Sequence, residues 1–342
     1  MAQGTCEKPD CTVAATGMCL LSHANLGDCP HFQSGESAGE VVGPETEPAA
    51  TGPELPIVEK KSGRTFHLGA ELGVEDALEV TSARYGHLIG VLGSTDAGKT
   101  CFLSSLYLMA SGGTLPAPYQ FAGSLSLQAF EDRARGLRQW KGGQLPNQLV
   151  DHTVLSDPRQ PSLLHLAIRE SNAERRRFDL LLTDLPGEWT DNLVLRASHA
   201  QSFRFLQRAD GIILLVDGTM LMSDTQRHAE LQRMRYFTER LANDVNVSRD
   251  TPFVILVSKS DEIEMQMPPA ASDLCDYVAG LGFPATKISA ASFSRKPETF
   301  KSGTGVFSAI ETVLSYQASS KSAASESTNF EPGARTFRRF RG

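Results

Sequence analysis

Apolar positions along the chain fall into short continuous runs separated by amphipathic and polar stretches. Leu88–Leu92, Leu180–Leu182, Gly211–Val216 and Phe253–Val257 are runs of strand length with no polar interruption, the pattern of strands covered on both faces. Leu163–Ile168 alternates, and Ala285–Ser289 reads as a last strand. The polar turn Ser171–Arg176 makes Leu163–Glu170 and Phe178–Asp184 an antiparallel hairpin. Helical spacing marks Val74–Tyr85, the stretch through Leu103, Leu106 and Met109, Ala197–Leu206, a charged helix over Asp224–Asn243, and Gly305–Tyr316. The last carries Val306, Phe307, Ile310, Val313 and Leu314 on one stripe. Strands alternating with helices predict a three-layer, doubly wound α/β sheet of about six strands, one of them antiparallel.

Flanking regions have a different texture. Residues 33–63 are rich in Gly, Pro, Ser and Glu and cannot bury enough apolar surface to offset their ordering entropy, so they read as a disordered linker. Residues 64–317 form the α/β domain, opening with a short strand at Thr65–Leu68, and 318–342 a disordered tail ending Arg335-Thr-Phe-Arg-Arg-Phe-Arg341. Such tails are mostly solvated; an acidic partner is the alternative.

Composition narrows the function. With 40% apolar and 21% charged residues over 342 positions, the chain can build a sizeable core. A net charge of −7 argues against a general nucleic-acid binder. No apolar run approaches the ~20 residues of a membrane span. No basic start precedes an apolar core, so a cytoplasmic location is expected. Four of the six cysteines lie in the first 29 residues. In a reducing compartment, clustered Cys and His point to metal before disulfides. Cys11, Cys19, His23 and Cys29 would make a Cys₃His zinc set within the segment 1–32, and Cys6 could replace His23 or Cys11. A reduced, unstructured segment is the other reading.

The chemistry centres on Gly93-Ser94-Thr95-Asp96-Ala97-Gly98-Lys99-Thr100, followed by Cys101. This G-x-x-x-x-G-K-[ST] stretch leaves a buried strand and enters a helix, as a phosphate-binding loop must. Gly93 permits the sharp exit, and Gly98 lets backbone N–H groups approach phosphate oxygens. The helix N-terminus adds unpaired donors and a positive dipole end. Lys99 would reach the β- and γ-phosphates, and the Thr100 hydroxyl would ligate Mg²⁺. Asp184-Leu-Pro-Gly187 follows another buried strand. Asp184 would hold Mg²⁺ through water, and the Gly187 N–H would meet the γ-phosphate. Glu188 could orient the attacking water; otherwise it is an N-terminal helix residue favoured by the dipole. A hydroxyl for the metal could come from Ser124, Ser126 or Thr153 in the long connection 113–160.

Ser258-Lys259-Ser260-Asp261 follows the buried run Phe253–Val257 and resembles the [NT]-K-x-D motif that reads guanine. The Asp261 carboxylate would accept from N1–H and the 2-amino group, donors that adenine lacks. Lys259 would lie along the base and brace the phosphate loop, with Ser258 in a position more often filled by Asn. A backbone N–H at Ser289-Ala290 would donate to guanine O6.

The order of phosphate loop, D-x-x-G, [NST]-K-x-D and Ser-Ala resembles GTPases of the translation-factor and Ras-like class over about residues 87–317. Phe121-Ala-Gly-Ser124, Phe130-Glu131, Leu163-Leu-His-Leu166, Leu182–Glu188 and Leu215-Val-Asp-Gly218 resemble, more closely, the double-GTPase domains of bacterial conflict and defence gene clusters. Some members carry a cysteine-rich prefix like Cys19–Phe32. That resemblance implies a Mg²⁺-dependent GTPase switch that cycles between GTP and GDP and controls protein partners of a multi-component system. No arginine is recognisable as a charge-stabilising finger, so turnover should be slow without a partner or a second copy. A GTP-binding scaffold without hydrolysis and a P-loop ATPase are the rival readings.

Overall fold

A computed structural model of the protein describes residues 4–6, 11, 29–34, 69–139 and 161–326. The chain divides into two units, 1–63 and 64–342. In the first, β1 (Gly4–Cys6) pairs antiparallel with β2 (Phe32–Ser34), and Cys29 is buried.

The second unit is built on a seven-stranded sheet. Its strands are β3 (Gly86–Gly93), β4 (Tyr119–Gly123), β5 (Leu163–Glu170), β6 (Arg177–Thr183), β7 (Gly211–Asp217), β8 (Phe253–Ser258) and β9 (Ala285–Ser289), in the order β4-β5-β6-β3-β7-β8-β9. β5 runs antiparallel to both its neighbours, and the remaining pairs are parallel. One reversed strand is therefore observed as expected, but in a sheet of seven. The additional strand, β4, lies in the connection that carried no strand pattern. It is an edge strand with half-buried residues, so nothing in its sequence had to alternate sharply.

Burial on both faces explains the apolar runs. Every residue of β3, β7 and β8 is buried. Ile89, Val91, Ile213, Leu215, Val254 and Leu256 point to one layer, where they meet Phe102, Leu106, Phe130, Phe307 and Ile310. Those partners come from α2 (Lys99–Ser111), α3 (Leu127–Gln139) and α8 (Val306–Glu326). Leu92, Ile212, Leu214, Phe253 and Ile255 face the opposite layer with Phe203, Met234, Phe237 and Leu274. That layer holds α4 (Gly187–Leu195), a 3₁₀ segment (Ala197–Arg208), the short α5 (Gly218–Met222), α6 (Arg227–Asn243) and α7 (Pro269–Gly280). A smaller helix, α1 (Val74–Ala83), brings Ala77 into a third cluster with Leu72, Leu88, Leu163 and Leu181. α8 runs on to Glu326, past the point where Ser and Ala begin to dominate.

The central strand is tied to β6 beyond their ladder, which ends at Ile89↔Leu182. The Thr183 hydroxyl accepts from the Val91 N–H at 2.8 Å and is 3.2 Å from the Val91 carbonyl. This side-chain rung carries the two strands together up to the turns where Gly93 and Asp184 emerge. It sets the spacing between those turns at the carboxyl edge of the sheet, where doubly wound folds bind ligands.

Candidate functional site

The loop after β3 is shaped by residues that tolerate unusual backbone. Gly93 has φ +153°, and a Cβ there would lie 2.5 Å from the Leu215 carbonyl oxygen of β7. Asp96 (φ 59°) and Gly98 (φ 88°) are left-handed, and Gly98 caps α2. Lys99 opens the helix and folds back under the loop, where its Nζ donates to the carbonyls of Gly93 (3.0 Å) and Ser94 (2.8 Å). It is only 8% exposed. Burial pushes its pKa down, against the pull of Asp184, Glu188, Asp191 and Asp96. An ammonium held this way, within a crescent of left-handed backbone, has the geometry of an anion-binding loop. Thr100 is half-buried in the first turn of α2.

Asp184 leaves β6 fully buried. One carboxylate oxygen accepts from Arg133 Nε of α3 at 2.6 Å, and the far side of that guanidinium pairs with Glu71. Three residues on, α4 begins. Gly187 is pressed against the phosphate loop so closely that a Cβ would sit 2.4 Å from Thr95 Cα and 2.5 Å from its nitrogen. Thr190 Oγ1 donates to the Gly93 carbonyl at 3.0 Å, and Thr95 Oγ1 donates to Asp191 at 3.5 Å. Glu188 is exposed in the first turn, with its charge felt at Lys99. The D-x-x-G segment and the phosphate loop are thus one packed unit. The donor set fits a magnesium ion: a hydroxyl at Thr100 and a hard carboxylate at Asp184, with phosphates and waters left to complete it.

A second support comes from α6. Ser94 Oγ donates to Glu230 Oε1 at 2.9 Å, and Glu230 is 1% exposed. Burial pushes that carboxyl up, partly offset by Ser94 and Arg233. Arg233 bridges Glu230 (3.3 Å) and Asp191 (3.8 Å), joining α6 to α4. None of Arg133, Thr190, Asp191, Glu230 or Arg233 was anticipated. Glu230 alone left a signal, since it lies on the helical stripe of Met234, Phe237 and Leu241, where a charge is out of place.

At the base-reading end, Ser258 Oγ donates to the Val216 carbonyl at 3.2 Å. Its Cβ lies 3.7 Å from where one on Gly98 would be, so the position still abuts the phosphate loop. Lys259 (φ 52°) donates to Asp217 Oδ2 at 2.6 Å, and Asp217 Oδ1 accepts from the Thr219 N–H and hydroxyl. Burial pushes the Cys101 thiol pKa up and the Lys259 charge pulls it down, placing that ammonium beside the start of α2. Asp261 is buried, with Oδ2 accepting from the Arg295 N–H at 2.8 Å. Of the Ser289-Ala290 pair expected to offer a donor to O6, the Ala290 N–H continues the ladder to the Val257 carbonyl at 2.8 Å.

Other candidates are distributed differently. Ser124 donates to the His165 carbonyl at 2.6 Å, and Ser126 Oγ accepts from the His165 N–H at 3.0 Å, so both fasten the start of α3 to β5. Thr153 lies outside the described residues, as do Cys19 and His23 of the zinc set. Among the described residues, no three His, Cys, Asp or Glu side chains gather as a metal cluster, and no helix is long and apolar enough to cross a membrane.

Three solved structures are similar to this chain. A variant of SsGBP is 14% identical with TM-score 0.34, over 74% of this chain and 61% of its own. A GTP-binding protein from the hyperthermophilic archaeon Sulfolobus solfataricus, in complex with GDP, is 15% identical with TM-score 0.31, over 74% and 57%. Sup35 complexed with GDP is 14% identical with TM-score 0.30, over 63% and 40%. The chain spans less than two thirds of the length of each. No functionally curated relative matches it. Residues 87–314, from the first residues of β3 to the middle of α8, match the Double-GTPase 2 family, and the chain belongs to it.

Proposed function

We propose that the chain binds GTP with Mg²⁺ and hydrolyses it, as a switch that controls protein partners. The observation that carries this reading is a buried Asp184 whose charge acts on Lys99, next to a Gly187 docked on Thr95 of the same loop, with Asp261 buried at the other end of the same sheet edge. Phosphoryl transfer asks a protein mainly for position and charge. The loop N–H groups would cradle the phosphates, and Lys99 would exchange the Gly93 and Ser94 carbonyls for β- and γ-oxygens. Thr100 and Asp184 would hold the metal, which supplies charge neutralisation on the transferred group. Gly187 would direct its N–H to the γ-phosphate, and Glu188, exposed and next in sequence, would orient the attacking water. Asp261 would select guanine over adenine through paired acceptors, with Lys259 held over the base site by Asp217.

The test is binding and phosphate release with GTP and ATP for wild type, Lys99→Ala and Asp261→Ala. GTP should be preferred by wild type, Lys99→Ala should bind at least a hundredfold more weakly, and Asp261→Ala should lose base discrimination. ATP preference would sink the assignment of Asp261. Tight GTP binding with no phosphate released at any protein concentration would leave a scaffold.

A further inference from the structure

We propose that Arg133 is a built-in competitor for the metal: it holds Asp184 when no metal is bound and is displaced from it when Mg²⁺–nucleotide enters. The inference rests on the reading of Asp184 as a metal-holding carboxylate. Arg133 is a side chain of mid-α3, well removed from any nucleotide motif, yet its Nε lies 2.6 Å from Asp184, a fully buried carboxylate at the phosphate end of the sheet. A buried carboxylate needs a counter-charge at all times, because one left unpaired is costly. In this structure Arg133 supplies it. Its own burial works against the charge, and Asp184 and Glu71 outweigh that, leaving its pKa raised.

The guanidinium is poised to leave. Its NH2 side already pairs with Glu71 and its NH1 donates to the Ala129 carbonyl at 2.9 Å, so only the Nε contact has to break. Lys99 also feels the Asp184 charge. A divalent ion arriving there would be a third cation on one carboxylate. Electrostatics fixes the sign: a positive side chain beside a cation site lowers the affinity of that site. The cost of moving one positive charge off the carboxylate as the divalent ion arrives, largely offset by the Glu71 carboxylate that keeps the guanidinium, is expected to be roughly tenfold in affinity.

The experiment measures Mn²⁺ affinity in the GDP complex, by the paramagnetic resonance of free Mn²⁺, for wild type, Arg133→Gln, Arg133→Lys and Glu71→Gln. GDP affinity in EDTA is measured alongside. Arg133→Gln should bind Mn²⁺ about tenfold more tightly, Arg133→Lys should stay near wild type, and Glu71→Gln should bind more weakly. Opposite shifts from the two partners of one ion pair are not a result that loosened packing can produce. Unchanged or weaker Mn²⁺ binding by Arg133→Gln, or shifts of both variants in one direction, would overturn the proposal. Should Arg133→Gln not fold, Glu71→Gln decides alone: unchanged or tighter binding refutes the competition. Wild type that binds GDP in EDTA but no Mn²⁺ would overturn the metal site itself, and this inference with it.

Discussion

Gly187→Ala tests whether α4 is docked on the phosphate loop as described. In an ordinary helix this substitution is favourable by about 0.5–1 kcal/mol, because Gly loses more backbone entropy on folding. Here the sign should invert. The new methyl would lie 2.4 Å from Thr95 Cα and 2.5 Å from its nitrogen and hydroxyl, well inside the 3.0 Å that real Cβ atoms respect. Both obstacles are backbone at their nearest, so no rotamer change relieves them. Overpacking of this kind costs about 1–3 kcal/mol. If α4 withdraws instead, Thr190 Oγ1 loses its bond to the Gly93 carbonyl, which keeps Lys99 as a donor, at about 0.5–1.5 kcal/mol for the lost hydrogen bond. By either route the variant should lose about 1–3 kcal/mol in the nucleotide-free form. In a domain of this size, that lowers Tm by roughly 2–10 °C. Urea and thermal unfolding of nucleotide-free protein measure it, with Leu195→Ala as the control. Leu195 is 76% exposed at the far end of the same helix and should shift stability by no more than about 0.5 kcal/mol. A Gly187→Ala protein as stable as wild type, or more stable, would refute the docking.

Two further outcomes follow from the scaffold around the site. Thr183→Val keeps the shape of the β6 terminus but strands the Val91 N–H, which has its bond at 2.8 Å, so it should cost about 1–3 kcal/mol in the same urea titration. Asp179 is buried, which pushes its carboxyl up, but His165 at 3.1 Å and Arg177 at 2.8 Å hold it well below the usual range. A folded pKa below the unfolded one contributes stability above about pH 4 that is lost as pH falls further, so Asp179→Asn should cost about 1.5–3 kcal/mol at pH 7. The gap to wild type should narrow at pH 3, and a gap independent of pH would refute the charge argument.

The parts of this molecule that could be read from sequence are those whose determinants are local. β3, β7 and β8 are apolar without interruption because helices cover both faces, and the phosphate loop announces itself because positive φ at Gly93 and Gly98 needs glycine wherever the fold occurs. β4 has neither kind of signal: five half-exposed residues at an edge are recruited by β5, not by their own pattern. The limits at the site have a similar cause. Asp184 and Ser94 occupy positions dictated by short spacings, but what each touches arrives from 51 and 136 residues away. Arg133 occupies an amphipathic helix in which arginine is ordinary, so its pairing is invisible until α3 is packed on α2. Glu230 differs, because a carboxylate on a core stripe must find a buried donor, and that constraint is written in the helix even though Ser94 is not. The donor sought at Ser289-Ala290 shows the complementary limit: a backbone N–H has no sequence signature, and the Ala290 N–H is bonded to the Val257 carbonyl. Spacing therefore locates the groups that would touch a nucleotide, whereas the charges that hold those groups when no nucleotide is present depend on packing between helices. The control of metal loading proposed for Arg133 belongs to that second set.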